Sequence, residues 1–263
     1  MARQRIMNTG QIIRIREFMD EAGKALVLDF TRGFLGGEFK NIKEALSGID
    51  GASVDAIILS PGEAKQHVDM LCKKRVPVII KCDWSNRLLD DQSVYPAQKF
   101  RQVPACDAAG ALRLGASAAI ADVVFGTPDD DTVKGMEWLR TLVRDGNDCG
   151  LPVIANIIPL GSRVSPDNFA DVACLGMRTC LELGATTAAV PVVDGGAARK
   201  LVTASMNCPL LAFASSPMGT KPAGGIHAAF KAMSDAGIRA IVVDGFDPPA
   251  GIEKGIAGFA ASP

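Results

Sequence analysis

The sequence predicts an α/β fold, a closed (β/α)8 barrel of the TIM-barrel type. Eight short apolar runs recur along the chain at intervals of about 31 residues, the size of one strand–helix unit. The runs are continuously apolar, as in parallel strands that are covered on both faces. No linker or shift in composition interrupts the chain, so we expect residues 1–263 to form one barrel domain.

Each predicted strand is a run of apolar, often β-branched residues that polar or glycine-containing segments separate from the next run. In chain order the strands are Ala25–Asp29, Asp55–Leu59, Val76–Cys82, Ser117–Val123, Leu151–Asn156, Thr186–Val193, Pro209–Ala214 and Arg239–Asp244. Amphipathic segments with helical spacing lie between them, most clearly Asp130–Asp145 and Asn168–Leu183. Glycine recurs where a helix gives way to a strand, a place that suits a left-handed residue.

An open, doubly wound sheet is the alternative arrangement of such units. It is disfavoured because no Gly-x-Gly-x-x-Gly follows the first strand, where a dinucleotide-binding fold carries it. The segment from Trp84 to Pro104 is the one long irregular stretch, and its polar and proline content predicts a loop over the barrel mouth.

Composition excludes several classes of protein. Hydrophobic residues make up 48% and charged residues 22%, which is typical of globular proteins and not of disordered ones. The net charge of -1 does not indicate the basic surface that binds nucleic acid or an anionic membrane. We therefore expect a small-molecule ligand and, by analogy with other barrels, a homo-oligomer.

The expected compartment is the cytoplasm. No apolar stretch approaches the roughly 20 residues of a membrane helix, and no apolar region follows the basic N-terminus as in a secretory signal. The seven cysteines are odd in number and form no Cys-x-x-Cys, which is typical of reduced thiols.

In this fold the active site lies at the C-terminal ends of the strands. The residues at those ends are Asp29, Ser60, Lys81, Asp83, Asp122, Asn156, Asp194, Ser215, Ser216 and Asp244. Burial raises the pKa of a carboxyl that lacks a partner toward the range of a general acid or base, so Asp29, Asp122 and Asp194 are catalytic candidates. The alternative for each aspartate is to cap the next helix or a turn. Ser60, Asp83, Asn156 and Asp244 are candidates for substrate binding.

Lys81 ends an apolar strand, which directs its side chain toward the barrel mouth or interior. A desolvated lysine there can attack a carbonyl and form a Schiff base. The alternative is an ammonium paired with Asp29 or Asp122, or one that holds a substrate oxyanion. Both roles stay open from the sequence.

A phosphate site is predicted from the segments after the last two strands. Barrels often bind phosphate there through backbone N–H groups and a helix N-terminus. The candidates are Ser215, Ser216, Gly224, Gly225 and Gly245. A flexible loop of small residues is the alternative.

No metal or cofactor is expected. The two histidines, His67 and His227, fall in predicted helices and form no zinc cluster. The spacing of the aspartates at the mouth does not specifically indicate a magnesium site made of oxygen ligands. The sequence has no P-loop, and its serines lack a nearby histidine for a Ser–His–Asp triad.

Several segments resemble one enzyme family. Ala25–Asp29 with the following Phe30-Thr31-Arg32-Gly33 is similar to the first strand of the DeoC/LacD-like class I aldolases, where Asp-His-Gly stands. That family includes archaeal-type fructose-bisphosphate aldolase, aminodideoxyheptulosonate synthase and the autoinducer-processing thiolase. Further similar segments are Gly51–Gly62, Arg113–Ala119, Glu182–Ala185 and Cys208–Ala212.

The sequence departs from the family at its most important positions. The resemblance implies a Schiff-base lysine on strand six, but the matching position falls near Ala189 and no lysine stands on that strand. The family's Gly-Gly-Pro phosphate loop is Ser215-Ser216-Pro217, and its Gly-Arg on strand eight is Asp244-Gly245. Because alanine cannot form an imine, the covalent mechanism does not carry over at that position.

These observations predict an aldolase-type carbon–carbon lyase that acts on a small, phosphorylated carbonyl substrate through Lys81 and the mouth aspartates. Two alternatives remain. One is a non-catalytic or regulatory barrel that binds sugar phosphates. The other is a sugar-phosphate isomerase that uses acid–base chemistry without a Schiff base.

Overall fold

The computed structural model describes residues 7–32, 34, 41–49, 53–88, 100–127, 129–214 and 225–247. The elements in chain order are α1 (Thr9–Arg16), β1 (Ala25–Asp29), α2 (Ile42–Gly48), β2 (Ala56–Leu59), α3 (Pro61–Gln66), α4 (Val68–Lys74), β3 (Val78–Lys81), β4 (Asp83–Ser85), β5 (Gln102–Pro104), α5 (Ala108–Arg113), β6 (Ala116–Phe125), α6 (Asp129–Cys149), β7 (Val153–Pro159), α7 (Phe169–Glu182), β8 (Thr187–Pro191), α8 (Gly195–Ala204), β9 (Leu210–Phe213), α9 (Gly225–Asp235) and β10 (Ala240–Asp244).

Eight parallel strands close into a barrel in the order β1-β2-β3-β6-β7-β8-β9-β10, and β10 pairs with β1. The predicted (β/α)8 barrel is therefore confirmed. Each predicted strand overlaps one barrel strand, and β6 and β7 extend further than predicted, to Phe125 and Pro159. Gly115 (φ 79°) and Gly184 (φ 99°) are left-handed at the joints before β6 and β8, as the sequence suggested.

The sequence predicted an irregular segment after β3, and the structure differs from that prediction. Its ends form a two-stranded antiparallel ladder, β4 and β5, in which Asp83 lies opposite Pro104. Each strand of the ladder has only three residues, too few to show alternation in the sequence.

The barrel interior is an apolar cluster to which all eight barrel strands contribute. Its members include Val27, Ile58, Ile79, Ile120, Ile154, Ala189, Leu211 and Val242. Ile15, Phe18 and Met19, at and after the end of α1, join this cluster together with residues that start the strands. These three side chains therefore close the N-terminal end of the barrel. A second, larger cluster packs the alternate strand residues against the helices.

The strand period of two places the polar residues at the mouth. Side chains two residues apart on a strand point to the same face. Two residues after an interior cluster member on the same strand stand Asp29, Lys81, Asp122, Asn156 and Asp244. The barrel interior is thus apolar in its lower part and charged at its C-terminal end. None of the helices that the structure describes is both long and apolar enough to cross a membrane.

Candidate active site

Lys81 lies inside the barrel, and its side chain is only 3% exposed. Its Nζ is 2.5 Å from Asp83 Oδ1 and 2.8 Å from Asp122 Oδ1. Burial by itself lowers the pKa of the lysine, but the two carboxylates outweigh that effect and raise the pKa above its ordinary value. Lys81 is therefore an ammonium ion in this structure.

Asp122 is the centre of the buried network. Its Oδ1 accepts hydrogen bonds from Lys81 Nζ and, at 2.8 Å, from Asn156 Nδ2, while its Oδ2 lies 2.7 Å from Arg87 Nε. Burial opposes ionisation, but the Arg87 and Lys81 charges outweigh it and hold the pKa of this carboxyl well below its usual range. Asp122 is accordingly a carboxylate that orients two cations.

Asp83 connects the network to the short hairpin. Its Oδ1 accepts the Asp122 N–H at 3.0 Å, and its Oδ2 accepts Gln102 Nε2 at 2.9 Å. Gln102 Nε2 also lies 2.7 Å from the Asp122 carbonyl oxygen. Burial raises the pKa of Asp83, Lys81 lowers it, and the nearby Asp122 charge raises it again, with a net rise. The network thus joins β3, β4, β5, β6 and β7.

Asp29 lies at the end of β1 and is half-buried. Its Oδ1 accepts hydrogen bonds from Thr31 N at 2.9 Å and from Thr31 Oγ1 at 2.7 Å. Burial raises the pKa of Asp29, although the Thr31 bonds and the charges of Arg87 and Lys81 act against it. A carboxyl with a raised pKa beside a cationic pair is suited to proton transfer.

Asp194, a predicted catalytic residue, caps the helix that follows its strand. It is exposed, and its Oδ1 accepts the N–H groups of Gly196 and Ala197 at 2.8 and 2.9 Å as the N-cap of α8. Ser60 is likewise an N-cap, since its Oγ accepts Glu63 N of α3 at 3.3 Å. Each side chain thus bonds to the helix that follows its strand, and the catalytic role of Asp194 and the binding role of Ser60 stay predictions.

Of the other predicted binding residues, Asp244 and Gly245 lie at the C-terminal end of β10. Asp244 pairs with Arg32 Nη1 at 2.9 Å, and Gly245 N donates to Asp29 O at 2.9 Å. A Cβ on Gly245 would lie 2.5 Å from the buried Phe30 ring, so any other residue would displace that ring. Gly225 begins α9. Ser215, Ser216 and Gly224 lie outside the described residues, and their phosphate role stays a prediction.

The two histidines lie in different parts of the fold. His67 lies between α3 and α4, with Nε2 3.1 Å from Glu63 Oε2, and His227 is in α9. The described ranges contain no group of three or more histidine, cysteine or acidic residues arranged to hold a metal ion.

The sequence did not single out Arg87 and Gln102, which complete the network. Both lie within the segment that was predicted to be irregular, where no periodicity assigns a side chain to a face. One signal was present: buried carboxylates need cations, and Arg87 follows Asp83 by four residues.

No known protein-family model matches the sequence. Solved structures do match it along nearly the whole chain. A Schiff base-forming fructose-1,6-bisphosphate aldolase has a TM-score of 0.75 at 20% identity, over 94% of this chain and 97% of the other. An archaeal fructose-1,6-bisphosphate aldolase, with its catalytic lysine covalently bound to the carbinolamine intermediate, has a TM-score of 0.73 at 19% identity, over 95% and 98%.

A third similar structure is a fructose-bisphosphate aldolase from Slackia heliotrinireducens DSM 20476, with a TM-score of 0.68 at 14% identity, over 97% of this chain and 85% of that one. At these identities the likeness shows a shared fold. Strand β8 reads Thr-Ala-Ala-Val-Pro and carries no lysine, and its Ala189 pairs with Asn156 of the network. The interior lysine of the network comes instead from β3.

Proposed function

We propose that this protein is an aldolase-type carbon–carbon lyase that acts on a small carbonyl substrate without a Schiff base. One observation carries the proposal: an ammonium ion, Lys81, is held between two buried carboxylates at the inner mouth of a barrel shared with aldolases. A protonated amine is not a nucleophile, whereas it does stabilise negative charge on oxygen.

Lys81 would act as the oxyanion clamp. An ammonium has three N–H donors, of which Asp83 and Asp122 take two. The third is suited to the carbonyl oxygen of the substrate. Because Asp122 and Asp83 already orient the amine, little reorganisation is needed when the oxygen becomes an enolate.

Asp29 would transfer the proton. In the cleavage direction its carboxylate takes the proton of the substrate hydroxyl, the carbon–carbon bond breaks, and the hydroxyl carbon becomes an aldehyde. The bonding electron pair passes to the carbonyl side as an enolate that Lys81 stabilises. The protonated Asp29 then returns the proton to the enolate carbon, which completes the turnover.

The substrate is proposed to carry a phosphate at the mouth. This part depends on Ser215, Ser216, Gly224, Gly225 and Gly245 as predicted. The Arg32 guanidinium, which pairs with Asp244 beside Gly245, offers further N–H donors for such a group. An anionic group held there would leave the carbonyl end of the substrate free to reach Lys81.

The test is a turnover assay with a panel of ketose phosphates, with and without borohydride. We expect aldehyde release, no borohydride-dependent mass increment on Lys81, and a loss of at least about 100-fold in kcat/KM for Lys81→Met. Lys200→Met is the matched control, because Lys200 is exposed on α8. Circular dichroism of Lys81→Met must show the barrel intact for its result to count.

Each alternative gives a distinct result. A borohydride-trapped adduct on Lys81 would show that the mechanism proceeds through a Schiff base. Conversion of ketose to aldose phosphate without cleavage would make it an isomerase. Binding with no turnover over the whole panel would support a regulatory barrel and overturn the proposal.

A further inference from the structure

Two cysteines lie next to each other on the helix-facing side of the strand that carries Lys81. Cys82 lies between Lys81 and Asp83 and belongs to the helix-facing core. Cys106 follows β5 and packs against the same core. The N–H groups of Ala105 and Cys106 both donate to Cys82 O, at 2.8 and 3.2 Å. The two cysteines are thus adjacent across the base of the hairpin although 24 positions separate them in the sequence.

The backbone contact brings the pair within range of a disulfide bond. An N···O distance of 3.2 Å between the two residues limits their Cα–Cα separation to about 7 Å at most. Disulfides span Cα–Cα distances of roughly 4.4–6.8 Å. Each thiol donates to a nearby carbonyl, Cys82 Sγ to Ile80 O at 3.5 Å and Cys106 Sγ to Asp107 O at 3.4 Å, and these weak bonds break when the side chains turn toward each other.

The two thiols differ in the way that oxidation of a dithiol requires. Cys106 is half-buried, and the neighbouring Cys82 side chain lowers its pKa, helped by Arg113 and Lys65 against the effects of burial and Asp107. Cys82 is buried, and the neighbouring Cys106 side chain and burial raise its pKa well above the ordinary value. Cys106 is therefore the more accessible and more acidic thiol, and Cys82 is the protected thiol that can react second.

We propose that Cys82 and Cys106 form a peroxide-reactive dithiol that closes to a disulfide. The Cys106 thiolate attacks one oxygen of a hydroperoxide, the O–O bond breaks, and a sulfenic acid and hydroxide (or alkoxide) result. The Cys82 thiol then attacks the sulfenic sulfur, its proton leaves with the hydroxyl group as water, and the S–S bond forms. The sulfurs lose two electrons and the peroxide gains them.

The disulfide would covalently join the end of β3 to the segment that follows β5. Cys82 is the residue between Lys81 and Asp83, so the bond constrains the backbone that positions both members of the ion pair. The oxidation of the two cysteines does not depend on the activity of the proposed active site. It is measured as a change in the mass of the protein's own peptides.

The experiment treats the full chain with hydrogen peroxide, blocks remaining thiols by alkylation and digests with trypsin. We expect residues 82–87 linked to residues 102–113, lighter by two hydrogen atoms than the two thiol peptides together, and separated again by dithiothreitol. Each of these peptides contains one cysteine. Cys72→Ser, which removes an exposed thiol, should leave the linked peptide unchanged.

Single variants test the order of reaction. In Cys82→Ala the sulfenic acid on Cys106 should persist and react with dimedone, whereas in Cys106→Ala the Cys82 peptide should remain a thiol. The proposal is overturned if the wild-type chain gives Cys106 sulfinic acid without the link. It is also overturned if Cys82 is oxidised first or if Cys106 pairs with another cysteine. None of these outcomes bears on turnover, so a failure here is separate from a failure of the lyase proposal.

Discussion

Asp122 shows how one buried carboxylate can organise a site. It is fully buried and accepts bonds from Lys81, Arg87 and Asn156. Removing one charge from such a cluster leaves its cations buried without compensation, which costs more than the ion pair itself contributes. The carboxylate therefore both positions Lys81 and stabilises the fold.

The first prediction concerns the charge of this residue. Asp122→Asn keeps the shape but leaves Lys81 and Arg87 short of one negative partner, so the free energy of unfolding should fall by about 3–5 kcal/mol. Urea denaturation measures the change. Asp194→Asn is the matched control, because asparagine caps a helix about as well as aspartate and should change stability by less than about 0.5 kcal/mol. Equal effects of the two variants would contradict the assigned network.

The second prediction follows from the raised pKa of Asp29. Its folded state holds a proton more tightly than the unfolded chain, so this stabilisation is complete below the ordinary value of 3.8 and is lost as pH rises through the folded pKa. The Asp29→Asn side chain is neutral at every pH, so this variant does not lose stability through ionisation at this position. The variant should therefore gain stability over the wild type as pH rises from about 4 to about 7.

Urea titrations of both proteins across this pH range test the prediction, with Asp194→Asn giving the baseline for the same change at an exposed site. A difference that is flat or shrinks with rising pH would contradict it. Because we assign proton transfer to Asp29, the same variant should lose turnover while it gains stability, a common trade-off at active sites.

Which site residues the sequence could reveal depended on where they lie. Asp29, Lys81 and Asp122 end or interrupt apolar runs, so their strand position alone placed them at the mouth. Arg87 and Gln102 carry no such pattern, and only the folded hairpin brings them to Asp122 and Asp83. Asp194 follows a strand but precedes two glycines and a helix, a context in which capping and catalysis look the same in the sequence.

At the scale of elements, the long strands were predictable and the short hairpin was not. A continuous apolar run needs partners on both faces, and that requirement alone indicates a barrel strand. Strands β4 and β5 owe their position to tertiary bonds from Gln102 to Asp83 and Asp122, a long-range effect that local sequence does not encode.

The third prediction tests the packing of α7 on β6. Gly176 lies within this helix, and a Cβ there would be 2.6 Å from Cδ2 of Phe125. Alanine favours helix over glycine by about 1 kcal/mol, but overpacking costs about 1–3 kcal/mol, so Gly176→Ala should be neutral to destabilising. Gly62→Ala in α3, where the nearest side-chain atom is 4.0 Å away, should be neutral or stabilising. Thermal melts of both variants measure the contrast, and a clear gain for Gly176→Ala would contradict the close contact.

At the scale of the whole molecule, the barrel interior has an apolar end and a charged end. Its lower part is apolar and is closed by Ile15, Phe18 and Met19, while its upper part holds the ion-pair network. Parallel strands produce this division because every inward side chain near a strand's C-terminal end faces the same mouth. A change at the apolar end should therefore affect stability, whereas a change in the ion-pair network should affect both stability and turnover.

The fourth prediction is that the two ends nevertheless unfold together. Phe18 is 2% exposed and packs into the interior cluster, so Phe18→Ala should lower the free energy of unfolding by about 3–5 kcal/mol. If residues 1–263 form one cooperative domain, a probe at the opposite end must report the same shift. Trp84 supplies it, since its Nε1 donates to Phe34 O near the mouth at 2.9 Å.

The measurement is Trp84 fluorescence in urea in a Trp138→Phe background. The sequence has two tryptophans, and the buried Nε1 of Trp138 has no hydrogen-bond partner among the described residues, so phenylalanine removes no bond seen there. Ile13→Ala is the control, because Ile13 is on the same N-terminal segment but 59% exposed, and it should barely shift the midpoint. If Phe18→Ala moved the far-ultraviolet circular dichroism transition but left the Trp84 transition in place, the barrel would unfold in parts and the single-domain prediction would be wrong.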